Sequence, residues 1–172
     1  MMKEKKKIMF FKYLTPQEVS WMLAKWRPRG VSENTIIIKE GTPGDEMFII
    51  ESGQVEIFLT RGEVVLLRSE LQESSFFGEI AFLTGKPRSA SVKAKTDCRL
   101  LVLKKQDFMD IVDENPKVAA KFLLAIGENL CNQVMASNVN LENYFLTNQT
   151  IVDNELFRKL YILTHKAPSS SG

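Results

Sequence analysis

Histidine is almost missing from this chain: its 172 residues include one, His165. That count excludes a His-rich metal site and a Cys/His zinc cluster. It also excludes a Ser-His-Asp triad unless His165 folds back from the tail. Cysteine is scarce too. Cys98 and Cys131 make no disulfide framework and are expected as small apolar fillers in a reducing, cytoplasmic setting. No apolar run approaches the roughly 20 residues of a membrane span. An excess of one charge is lacking: 23 Lys and Arg against 21 Asp and Glu leave +2. Generic binding to nucleic acid or to a membrane surface is therefore not implied. The opening MMKEKKKIMFFKYL is basic, but Lys12 interrupts its apolar stretch and no cleavage site follows. Residues 1–14 are read as a basic leader, not a signal peptide.

The rest of the chain changes period twice. Residues 15–26, TPQEVSWMLAKW, carry an N-cap at Thr15, a proline at the first helical position and Glu18 three residues after the cap. Val19, Met22, Leu23 and Trp26 fall at helical spacing, so a short amphipathic helix is expected, ended by Pro28 and Gly30. From about 30 to 104 the pattern becomes short β-branched runs split by Gly and Pro: TIIIKE, EMFIIE, QVEIFL, EVVLLRSE, SASVKA and CRLLVLK. Many short strands without βαβ alternation indicate an antiparallel sandwich or closed roll. Helical pattern returns at 105–115 and stops before Pro116, which disfavours helix at Asn115. A long helix then carries Val118, Phe122, Ile126, Leu130 and Val134 on one face. A neighbouring stripe holds Ala119, Leu123, Gly127 and Cys131. The combined surface is wide enough to pair with a second copy of the chain. A last helical segment is expected at 153–164, before a flexible APSSSG tail.

One interval breaks the strand pattern, SSFFGEIAFLTGKPRSASV at 74–92. Gly78 frees the backbone for a bend, and Glu79 to Leu83 is long enough for one helical turn. Such a turn leaves several N–H groups unpaired at its start, where they form a seat for an anion. Arg88 follows nine residues after Glu79, where its fork could reach back to phosphate oxygens. An acid beside that seat makes sense if the ligand also offers a hydroxyl, since a carboxylate accepts from a sugar OH. Seat, cation and acceptor together describe a small sugar phosphate. Phe76, Phe77 and Phe82 are expected in the core, and Gly41, Gly44, Gly53 and Gly62 as turn residues.

Residues 77–92, FGEIAFLTGKPRSASV, closely resemble the phosphate-binding cassette of cyclic-nucleotide-binding domains. EGTPGDEMFIIESGQVEIF at 40–58 is similar to that family's second to fourth strands. The resemblance implies an eight-stranded antiparallel β-roll, mainly β, with a short N-terminal helix and C-terminal helices. It implies that Glu79 accepts from the ribose 2′-OH and Arg88 pairs with the cyclic phosphate. Backbone groups of Gly78, Ile80 and Ala81, with Ser89 and Ala90, would hold sugar and phosphate. Ser89 follows the arginine where threonine often accompanies cGMP, so cAMP is preferred, with cGMP as the other ligand. On the long helix Asn129 and Gln133 are one turn apart and are candidates to cap the base.

These readings divide the chain into a leader at 1–14, a nucleotide-binding roll at 15–115, a lid or dimer helix at 116–145 and an extra helix with tail at 146–172. The Asn115–Pro116 joint is the natural hinge. The expected function is a non-enzymatic cyclic-nucleotide sensor that needs no cofactor and no metal. It would resemble the sensor domain of the catabolite activators without their DNA-binding domain. Those regulators place a winged helix-turn-helix after the long helix. The short tail beyond 140 balances Glu142, Asp153 and Glu155 against Arg158, Lys159 and Lys166, so no DNA partner is expected. Output would fall to an effector protein or a missing output domain. The competing reading is a nucleotide-free roll used for dimerisation or as a scaffold. A metal-dependent small-barrel enzyme of the cupin type would need more histidines than His165.

Overall fold

The computed structural model describes residues 11–152. The expected helix at 153–164, the tail and most of the basic leader lie outside those residues.

The first helix, α1 (Pro16–Leu23), starts where its capping chemistry places it. The Thr15 amide donates to Glu18 Oε2 at 2.7 Å, and the Glu18 amide donates to Thr15 Oγ1 at 3.3 Å. Two N–H groups left over at the helix start are thereby satisfied. The helix ends at Leu23, three residues short of the expectation. Pro28 and Gly30 do not end it; they belong to a strand, β1 (Arg27–Val31). Proline is tolerated there because β1 is an edge, where a missing N–H breaks no ladder.

Seven further strands follow: β2 (Ile36–Ile38), β3 (Glu46–Ser52), β4 (Gln54–Arg61), β5 (Val64–Gln72), β6 (Phe76–Phe77), β7 (Ser91–Ala94) and β8 (Cys98–Lys104). They form two four-stranded antiparallel sheets, ordered β1-β8-β3-β6 and β2-β7-β4-β5. This is the expected roll of eight strands. The inner faces share a core of Ile38, Phe48, Ile50, Val55, Val92 and Leu100, among others. Each such side chain contributes about 1.5–3 kcal/mol on burial. Phe77 sits in β6 opposite Phe48, and the two rings stack with centroids 4.9 Å apart. The ladder from β3 to β6 delivers the chain to Gly78, so the sheet sets where the next helix begins.

That helix, α2 (Glu79–Thr84), is the single turn inserted between strands. After β8 come α3 (Lys105–Glu114) and α4 (Pro116–Val152). Asn115 is non-helical, and its side-chain oxygen accepts from the Val118 amide at 3.3 Å, so it caps α4 while Pro116 takes the first helical position.

The chain divides into one unit running to Gly127 and another from Glu128 onward. In the first, Val118, Phe122, Ile126 and Ala119 are buried as expected, but Leu123 and Gly127 are exposed. In the second, Leu130 is half-buried and Val134 exposed. Cys98 is the small core filler foreseen, whereas Cys131 is exposed and fills nothing. Its spacing of four from Gly127 follows a stripe that is already open to solvent by Leu123. Among the described residues no helix is long and apolar enough to cross a membrane.

Candidate functional site

Gly78 adopts φ +84°, a left-handed conformation that starts α2 immediately after β6. A β-carbon there would fall 2.9 Å from Arg88 Nη1 and 3.1 Å from the Glu46 carbonyl, so the position needs glycine on space as well as on φ. Gly85, also left-handed, closes the other end. A helix of six residues makes too few internal bonds to persist alone. Its C-terminal carbonyls are held from outside: Lys105 Nζ donates to Phe82 O at 2.7 Å and to Leu83 O at 3.0 Å. A cation at a helix C-terminus also opposes the helix dipole favourably.

Arg88 is brought to this turn by its backbone and its side chain together. Its amide donates to Thr42 O and its carbonyl accepts from the Gly41 amide, both at 2.9 Å. Its Nη1 donates to Gly78 O at 3.0 Å. The side chain is 7% exposed. Burial pulls the guanidinium's pKa down, while the nearby carboxylates of Glu46, Asp45 and Glu79 oppose that fall. Among the described residues, no carboxylate lies within ion-pair distance of it. The outcome is a buried cation with one neutral acceptor and N–H groups to spare, in a place where an anion would be held strongly.

Glu79 is 7% exposed as well. Burial raises its carboxyl pKa, opposed by its own backbone N–H and by Arg88. An acid buried beside a cation without being bonded to it is costly to the free protein and useful to a ligand that offers a hydroxyl. Ala81 is buried and Gly78 half-buried, while Ile80 is exposed on the first turn of α2. Ser89 is exposed and Ala90 half-buried at the entry to β7. Of the cassette positions, Gly78 and Arg88 are brought together directly, through the bond from Arg88 to the Gly78 carbonyl. Asn129 and Gln133 belong to the second unit, where the Gln133 amide donates to Asn129 Oδ1 at 2.7 Å.

Sequence reasoning missed three neighbours. A β-carbon on Gly44 would land on the Arg88 guanidinium, so this glycine makes room for the cation and is more than a turn residue. The Phe48 ring lies beneath Arg88, with its centroid 6.0 Å from the guanidinium carbon. Lys105 had no local signal, because its role depends on where α2 ends. A separate polar groove of about 320 Å³ beside β4 and β5, lined by Gln54, Glu70, Leu71, Gln72 and Ser75, shares no residue with this turn.

Known proteins resemble this chain over the segment that holds the turn. Residues 28–115 match the family described as cyclic nucleotide-binding domain. The chain is 38% identical over 107 residues to the potassium/sodium hyperpolarization-activated cyclic nucleotide-gated channel 4 of Homo sapiens. That match takes in 62% of this chain and 9% of the channel, so the chain spans about a tenth of that relative's length. A cyclic nucleotide-binding domain from Methylobacillus flagellatus superposes with a TM-score of 0.72 at 20% identity, over 76% of this chain and 74% of that one. The catabolite activator protein of Thermus thermophilus gives 0.68 at 27% identity, over 79% of this chain and 62% of the other.

Proposed function

The chain belongs to the cyclic nucleotide-binding domain family, and from that premise we propose that it is a sensor that binds cAMP in preference to cGMP. The observation that carries the reading is the buried, unpaired Arg88 bonded to the Gly78 carbonyl, with buried Glu79 on the next residue. The phosphate would take the free N–H groups of Arg88, with Ser89, Ala90 and Ala81 around it. The ribose would engage Glu79 through a hydroxyl, flanked by the backbone of Gly78 and Ile80. Serine at 89 supports cAMP, since the family's cGMP binders often carry threonine there. Asn129 and Gln133 remain candidates for the base.

The roll at 15–115 would report binding through the helices that follow it, with 116–145 as the lid segment. Three contacts support that coupling. Lys105, the first residue of α3, bonds the end of α2. Phe82 of α2 meets Phe108 of α3 at 5.7 Å, and Phe108 meets Phe122 of α4 at 5.4 Å. A ligand that shifts α2 thus acts on α3 directly, and it moves the equilibrium only by its differential affinity for the two arrangements. The domain would work in a regulatory capacity, with output through a further segment or partner protein and without DNA contact. Val134 and Met135, 60% and 66% exposed, support self-association through α4. The free cysteines support a cytoplasmic setting.

The test is calorimetric titration of nucleotide-stripped, folded chain with cAMP and with cGMP. Saturable heat with both, tighter for cAMP, is expected. Tighter cGMP would overturn the ligand assignment, and no binding of either would leave a roll that acts as a scaffold or dimerisation module.

A further inference from the structure

Arg88 has a second arginine as a neighbour. Arg29 on β1 reaches past β8 to Glu46 at the start of β3 and grips its carboxylate through two parallel bonds, Nη1 to Oε2 at 3.0 Å and Nη2 to Oε1 at 2.9 Å. Fork-to-fork pairing of this kind fixes a carboxylate in orientation as well as in place. Both guanidinium groups lie over the same ring: the Arg29 carbon is 5.5 Å from the Phe48 centroid and the Arg88 carbon 6.0 Å. Glu46 therefore stands near two arginines and is bonded to one. Its main-chain carbonyl lies beside Gly78, the residue that Arg88 bonds. Of the carboxylates acting on Arg88, Glu46 has the largest influence.

A carboxylate so placed is a competitor for the ligand. If Glu46 closed on Arg88, a phosphate would have to break an existing ion pair before forming its own, and the cost would appear as lost affinity. We propose that Arg29 is a positioning residue for Arg88: by occupying both oxygens of Glu46 it keeps that carboxylate off the buried guanidinium, which is then open to an anionic ligand. Arg29 acts through Glu46, from the far edge of the sheet. The inference rests on the reading of Arg88 as the phosphate partner.

The experiment is a titration of the full chain with cAMP, and with cGMP if that binds tighter. The proteins are wild type, Arg29→Ala, Glu46→Gln and the double variant Arg29→Ala/Glu46→Gln, with thermal melts to confirm folding. Arg29→Ala is expected to lose roughly tenfold in affinity, the equivalent of one charge-assisted bond. Glu46→Gln should bind at least as well as wild type, because the competitor is neutralised. The double variant should recover to within about twofold of wild type. A purely structural strap would give equal losses for both single variants and no recovery, and that pattern overturns the proposal. Wild-type affinity in Arg29→Ala overturns it too. Should Arg29→Ala fail to fold, Arg29→Lys keeps the charge and loses the fork, and its smaller loss must also be rescued by Glu46→Gln. Failure of wild type to bind either nucleotide would instead remove the reading of the site itself, before any variant is compared.

Discussion

Glu79 shows how a single residue can be placed against the stability of its own fold. Its carboxyl is buried and burial raises its pKa above the ordinary 4.5, so its ionised form is held less favourably in the folded state than in the unfolded chain. The stability this group contributes is fully present below pH 4.5 and is lost as pH rises through the raised value. Glu79→Gln should therefore melt higher than wild type at neutral pH, and the gap should close as pH falls toward 4.5. The same variant should bind cAMP more weakly, because the amide is a poorer acceptor for a ribose hydroxyl. Thermal melts across that range and one titration check both halves. Gly44 gives a second prediction at this scale. Gly44→Ala puts a methyl group onto the Arg88 guanidinium, so affinity should fall while the melting temperature changes little. The roles proposed for Glu79 and Arg88 start from the sequence, where several residue types fall at fixed offsets in one short segment; the fold adds that both residues are buried. Gly44 was not legible in that role: a glycine in a Gly-Asp turn already has a local explanation, and its contact with Arg88 exists only after the 43 residues between them have folded.

At the scale of elements, α2 exists because its surroundings hold it. Left-handed glycines bound it, and Lys105 takes up the carbonyls of Phe82 and Leu83. Lys105→Met keeps an unbranched apolar stem, one atom shorter, and removes both bonds. It should cost on the order of 1–3 kcal/mol of stability, and hydrogen exchange should show the α2 amides opening faster than those of β8. If α2 protection is unchanged, the helix has another support. The α1 start was readable from the sequence because a capping box is local, whereas its end was misplaced because Pro28 and Gly30 are helix breakers that also suit an edge strand. Strand β6 is two residues long, too short for any alternation to register. Its existence depends on pairing with Phe48 and Ile49 across the sheet, which no local pattern encodes.

For the whole molecule, the roll was legible from its run of short β-branched strands, and the long helix from apolar residues spaced by four. The burial of that helix was only half legible. Periodicity marks Val118 and Val134 alike, yet the first is buried and the second exposed, because tertiary contact decides which turns of a long stripe are covered. Within the first unit, a chain of rings runs from Phe82 through Phe108 to Phe122 and on to Trp26 at 6.3 Å, linking the cassette to the helices that follow the roll. Ligand should therefore alter amide protection in α3 as well as in the cassette. Exchange rates in Lys105–Glu114 that do not respond to saturating cAMP would separate binding from signalling. All of this depends on one proposed contact, between the buried Arg88 and a cyclic phosphate. The most direct measurement is the cAMP affinity of Arg88→Ala beside wild type, with both shown to be folded. Loss of two charge-assisted bonds predicts a drop of about a hundredfold or more; wild-type affinity in the variant would contradict the account.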